Sequence, residues 1–143
     1  DPEYLGSNVL YSHLIHVLGG KAVEGLYGVQ TASHPYADDQ SKAVRDWAAK
    51  YKARFGEDPT VFSVYGYATM ELFAKAVDKA GPNLTTDGFI HAMETTVFPA
   101  DMFGSPEVRV TKTNRLGINE VRIAQIQNGK WTTISKLIEV RPE

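Results

Sequence analysis

An α/β architecture is predicted by three observations on this chain of 143 residues. Segments with apolar residues at helical spacing alternate with short runs of strand-forming residues. The helical segments are bounded by polar or proline starts and glycine stops. Near the C-terminal end, Asn128-Gly129 separates two β-rich runs, which is the signature of a hairpin.

Ser7 or Asn8 is placed to cap a first helix carrying Val9, Leu10, Leu14, Val17 and Leu18, with Gly19-Gly20 as its stop. From Ala22 to Thr31, Val23, Leu26, Tyr27 and Val29 read as a strand buried on both faces, ended by Ser33-His34-Pro35. Asp38 or Asp39 then caps an amphipathic helix with Ala43, Trp47, Ala48, Tyr51 and Phe55 inward and Lys42, Arg45, Asp46 and Lys50 outward. Gly56 closes it. Asp58-Pro59-Thr60 opens the next helix, whose wide apolar face comprises Tyr65, Ala68, Thr69, Leu72, Phe73, Ala76, Val77 and Ala80 before Gly81-Pro82 ends it. Leu84-Thr85-Thr86-Asp87 reads as a further cap, followed by Phe89, Ile90, Ala92 and Met93 in a short helix that Gly88 weakens.

Beyond Thr96 the character changes. Phe98 to Pro106 is loop chemistry, Val108-Arg109-Val110 alternates like a strand, and a hairpin follows. Its arms hold Val121, Ile123 and Ile126 before the turn and Trp131, Thr133 and Ile134 after it. Asn-Gly suits a type I′ turn because both residues tolerate positive φ.

Composition bounds the function. With 43% hydrophobic and 22% charged residues, the chain has the makeup of one soluble globular domain. A formal charge of −2 with both signs mixed offers no basic stripe for nucleic acid and no polybasic patch for an anionic membrane. Cysteine is absent, which excludes disulfides, thiolate metal sites and cysteine nucleophiles. Asp1-Pro2-Glu3-Tyr4 shows neither a basic n-region nor an apolar h-region, so no targeting segment is visible. No apolar run approaches the roughly 20 residues of a membrane-spanning helix.

Chemistry-bearing residues are few. His13 and His16 lie three apart on the first helix, near enough to share a metal, but no third ligand of suitable spacing accompanies them. The acid pairs Asp38-Asp39 and Glu57-Asp58 sit where caps and turns favour carboxylates. Gly19-Gly20, Gly25 and Gly28 form no phosphate loop, and no Gly-x-Ser-x-Gly elbow occurs. Asn83-Leu84-Thr85 matches a glycosylation acceptor but also serves a helix start. Neither a catalytic residue, a metal nor a cofactor is indicated. Phe62, Tyr65 and Tyr67 crowd one helix start, where they cannot all lie on one face. Such rings pack against loops or wall a ligand cleft, where a helix N-terminus adds amide donors for a carboxylate.

Several ordered pieces carry a resemblance. Val23-Glu24-Gly25-Leu26-Tyr27-Gly28-Val29, Phe55-Gly56-Glu57-Asp58-Pro59, Tyr65-Gly66-Tyr67-Ala68, Ala76 to Gly81 and Leu84 to Ile90 are joined by the closing Ile126 to Trp131. Together they resemble the C-terminal half of type I periplasmic solute-binding proteins, with the branched-chain amino acid binding family of ABC transporters the best match. The resemblance implies part of a two-lobed α/β fold, with helices flanking a mostly parallel sheet and a C-terminal β-hairpin. It implies that residues 1–32 belong to the second lobe, 33–121 to the first, and 122–143 return to the second.

It further implies a small-molecule ligand, most readily an amino acid, held between lobes that close on a hinge. Membrane permease subunits and the N-terminal half of the same protein are the implied partners, and the location is periplasmic or extracytoplasmic. Phe62 matches an aromatic position that faces the cleft in relatives, and Tyr65 is the second choice. Ser33, His34 and Tyr36 fall at the lobe crossing, near hinge or cleft. Relatives often place an acid after the tyrosine matching Tyr67, whereas this chain has Ala68-Thr69. Amides, urea-like solutes and aromatic acids are alternative ligands. A sensing domain of the same fold is an alternative role, and a small hydrolytic enzyme using the acid pairs or His34 is a remote one. A partial fold leaves sheet edges and apolar helix faces uncovered, so self-association, strand exchange or retention of the missing half as a separate fragment is expected.

Overall fold

The computed structural model describes residues 3–140. In chain order the elements are β1 (Leu5–Gly6), α1 (His13–Gly19), β2 (Tyr27–Gln30), α2 (Lys42–Phe55), α3 (Val61–Ala80), α4 (Thr86–Thr95), β3 (Val97–Phe98), β4 (Val108–Arg109), β5 (Glu120–Gln127), β6 (Lys130–Thr133) and β7 (Ile138–Glu139). The α/β class is as expected. The main sheet runs β1-β2-β5-β6 with β7 also on β5, and β3 pairs with β4 apart from it. Among the described residues, parallel pairing is confined to β1 and β2. The other pairings are antiparallel, because β5 comes back beside β2 after the long helical excursion and then turns directly into β6. The sheet of this portion is therefore mixed.

Local signals account for the helix boundaries. Gly56 adopts φ 79° and donates its N–H to the Lys52 carbonyl, the left-handed cap that a glycine takes without a Cβ clash. Thr60 begins α3, with its N–H donated to Ser63 Oγ at 3.2 Å. Thr85 Oγ1 accepts from the Gly88 N–H at 3.0 Å, so the threonine of the glycosylation-like triplet is a helix cap. Asn128 (φ 54°) and Gly129 (φ 72°) form the expected turn between β5 and β6.

Four expectations are corrected. Ser7 and Asn8 do not cap a helix; their carbonyls close a tight turn, and α1 begins after Ser12, whose Oγ accepts from Leu14 N–H. Burial of Tyr11 against Trp131, with ring centroids 5.0 Å apart, holds this turn out of the helix and leaves Val9, Leu14, Val17 and Leu18 exposed. The strand from Ala22 shrinks to four residues because Gly20–Val23 winds as a 3-10 turn. Within β2, Gly28 and Gln30 are buried while Tyr27 and Val29 are half-buried. Gln30 is tolerated inside because its amide donates to Ser33 Oγ and accepts from Thr133 Oγ1. Finally, Ser41 and not an aspartate caps α2; Asp39 Oδ1 instead accepts from the Ser41 N–H at 2.7 Å. The buried face of α2 is accordingly Val44 and Ala48, with Ala43 and Phe55 exposed.

Two cores result. Tyr11, Val61, Ala124, Ile126 and Trp131 form one, between the sheet and the start of α3. Ala32, Val44, Val64 and Phe103 form the other, between α2, α3 and the loop before β4. Tyr65 packs against both. Along α3, Ala76 is buried and Ala68 and Leu72 half-buried, whereas Thr69 and Phe73 of the expected apolar face are exposed.

Candidate functional site

The first turns of α3 present the aromatic residues singled out in the sequence. Phe62 is 56% exposed and meets the Tyr65 ring edge-on, with centroids 6.0 Å apart. Tyr65 points back toward the end of β2, where its hydroxyl accepts from Thr31 Oγ1 at 3.1 Å. Tyr67 goes the other way, edge-on to Trp47 and Phe103. The three rings thus divide as helical spacing requires. Phe62 is free at the surface, Tyr65 sits at the junction of the cores, and Tyr67 joins the α2 aromatic cluster.

Tyr65 also walls a groove of about 340 Å³, between α3 and the loop 98–108, with Thr31, Leu72, Phe98 and Pro106. Its lining is mainly apolar, and Glu71 and Lys75, paired at 3.3 Å, supply charge. Asp101 is committed to its own loop, its Oδ1 accepting from the Phe103 and Ser105 N–H groups. The groove offers shape and a few polar groups.

Ser33, His34 and Tyr36 follow β2 and are tied to the structure by hydrogen bonds. Ser33 N–H donates to the Phe103 carbonyl at 2.8 Å, and His34 N–H donates to Tyr11 Oη at 3.0 Å. Tyr36 Oη accepts from the Trp131 N–H at 2.8 Å and lies 3.4 Å from His16 Nε2. Burial pushes the Tyr36 hydroxyl up to about 12, and raises that of Tyr11 further, so both are neutral.

His34 joins His13 and His16, a grouping that the sequence did not reveal. Its ring centroid is 6.2 Å from each and 4.3 Å from Tyr36, on which it stacks. Among the described residues, neither ring nitrogen of His34 has a hydrogen-bond partner, nor does His13 Nδ1. Burial, then His16 and His13, lowers His34 to about 4. Among the described residues no group of three His, Asp or Glu is arranged to hold a metal ion.

A second concavity, about 500 Å³, lies between this segment and α2. Its charges are committed elsewhere. Arg45 donates to the Asp39 and Gln40 carbonyls, Lys52 pairs with Asp58 at 2.9 Å, and Lys130 pairs with Asp38 at 2.5 Å. The Lys130 bond holds the Asp38 carboxyl below its ordinary range. Asp38 and Asp58 thus serve ion pairs, and Asp39 braces the turn before α2.

These features, an α/β sheet closed by a hairpin with aromatic residues at one helix start, coincide with a match to known proteins. The model of the periplasmic binding protein family matches residues 3–130. The chain belongs to this family.

Solved structures of similar fold agree with that membership of the periplasmic binding proteins. A branched chain amino acid ABC transporter protein from Thermus thermophilus with bound valine superposes with a TM-score of 0.75 at 16% identity. That match covers 96% of this chain and 39% of the Thermus chain. A putative branched-chain amino acid ABC transporter protein from Rhodospirillum rubrum gives 0.67 at 25% identity, over 92% of this chain and 37% of the other. A solute binding protein from R. palustris in complex with benzoate gives 0.64 at 16% identity, over 92% and 35%. A search of curated proteins finds no match. This periplasmic binding protein chain therefore spans between a third and two fifths of the solved proteins it resembles.

Proposed function

We propose that the chain is the C-terminal portion of an extracytoplasmic solute-binding protein of an ABC transporter, with no chemistry of its own. It binds a small polar ligand, an amino acid first, between two lobes that close on a hinge and then dock on membrane permease subunits. The observation that carries the reading is the arrangement of two cores on either side of the point where β2 ends and β5 returns, spanned by the first turns of α3. Residues 1–32 and 122–143 then belong to one lobe and 33–121 to the other. In this reading Phe62 contacts the ligand, Tyr65 supports it from below, and Ser33, His34 and Tyr36 form the crossing.

Two features support further parts of the reading. The exposed Val9, Leu14, Val17 and Leu18 on one side and Met70, Phe73 and Ile90 on another are surfaces that an N-terminal half of the protein would cover. No helix among the described residues is long and apolar enough to cross a membrane, which is consistent with a domain outside the bilayer. Aromatic acids are the second ligand class, favoured by the benzoate complex of the R. palustris neighbour. A calorimetric and thermal-shift screen of the full-length protein tests the reading. An amino acid that raises the melting temperature supports it; no response to any amino acid, amide or aromatic acid overturns it.

A further inference from the structure

We propose that His13, His16 and His34 form a proton-operated latch between α1 and the segment leaving β2, closed while the imidazoles are neutral and released in mild acid. The geometry places the His34 ring, 8% exposed, in contact range of two imidazoles from α1, with both of its nitrogens unpartnered. A neutral ring can sit there against Tyr36; a cation without a hydrogen-bond acceptor is costly in such a site.

The groups facing His34 offer no relief. From α1 come His16 and His13, both of which disfavour a charge on His34. Tyr11 and Tyr36 are hydroxyls held neutral. The neighbouring groove contributes Asp38, Asp58, Arg45, Lys52 and Lys130, but its two carboxylates are each engaged by a lysine. Burial and the two histidines already hold His34 near 4, and burial followed by His13 lowers His16. As the pH falls, a proton on His34 finds no acceptor and is opposed by the neighbouring imidazoles, so the ring leaves its place for water. The groove beside His34 leaves room for that movement.

Release has a built-in reporter. Trp131 Nε1–H donates to the Ser12 carbonyl at the start of α1, and Trp131 N–H donates to Tyr36 Oη. Freeing α1 from the segment around His34 therefore loosens at least one of the two bonds to Trp131. In the solute-binding reading this segment is the lobe crossing, so acid would also bias the hinge; that consequence rests on that reading, whereas the latch does not.

The test uses the chain without solute, in a Trp47→Phe background that leaves Trp131 as the sole indole of the two. Between pH about 7.5 and about 3.5, we expect a reversible red shift of Trp131 emission with the far-ultraviolet helix signal unchanged, and loss of that shift on adding His34→Gln. Absence of the shift, an identical shift with His34→Gln, or parallel collapse of the helix signal overturns the latch. Should His34→Gln fail to fold, ring-proton NMR of the unaltered chain decides. A His34 resonance that titrates near the ordinary 6.5 refutes the latch, and one displaced well below it supports the latch. Since no solute is present, either result is independent of the ligand screen.

Discussion

Stability should fall between pH about 6.5 and about 4 through His34 alone, and the size of the loss follows from its burial. The unfolded chain takes up the proton as the pH drops through the ordinary value of 6.5, whereas the folded chain does so only near 4. The unfolded state therefore binds more protons throughout that window, and stability present in full above 6.5 drains away as the pH falls. At 1.36 kcal/mol per tenfold change in proton affinity, the full displacement is worth about 3 kcal/mol, of which about 2 is lost by pH about 5. His16, also lowered, adds in the same direction. Asp38 is lowered from an ordinary 3.8, so its contribution is kept above that value and lost only as the pH falls through its folded value, which leaves the histidine window clear. Urea unfolding at half-unit pH steps reads the slope, and His34→Gln should flatten most of it. A flat profile in the unaltered chain, or the same slope in His34→Gln, would refute the argument.

Three further outcomes follow from the packing. Phe62→Ala should leave the urea midpoint within about 0.5 kcal/mol, since the ring is largely exposed, while weakening amino-acid binding at least about tenfold, roughly 1.4 kcal/mol, by calorimetry on the full-length protein. Gly28→Ala should destabilise by about 1–3 kcal/mol, because a Cβ there would stand 3.0 Å from the Trp131 ring; a neutral result would mean that the indole has room to shift. Light scattering on the isolated chain should show self-association through its exposed apolar faces, and a stable monomer across micromolar concentrations would contradict that expectation.

What could be read in advance was local. Asn128-Gly129 and Gly56 announce their turns because the required positive φ is a property of one or two residues. Thr85 and Thr60 likewise sit where their helices start. The failures are places where distant contacts decide. Ser7 and Asn8 have the residue types of a helix cap, but the Tyr11 ring is taken by Trp131 and its hydroxyl by the His34 N–H, so α1 starts a turn later. Two-residue strands such as β1 and β7 carry no periodicity, and only their pairing partners define them. Gln30 would be a surface residue by type, yet Ser33 and Thr133 satisfy it inside. His34 is eighteen residues beyond His16, and nothing in the spacing says that the chain brings them together.

Tyr65 shows why the site around α3 is more than a row of aromatic side chains. Val61 belongs to the core against the sheet and Val64, one helical turn later, to the core against α2. A helix whose first turn is shared in this way cannot rotate about its axis without disturbing both cores, since close-packed interiors do not deform continuously. Tyr65 packs on both and anchors its hydroxyl to Thr31, the residue that follows β2. A displacement of the sheet relative to α2 must therefore be felt at Tyr65, and through its edge contact at Phe62. If a solute settles on the Phe62 ring, the same contacts carry its influence back to the end of β2, so that binding and the relative position of the two cores are linked through one tyrosine.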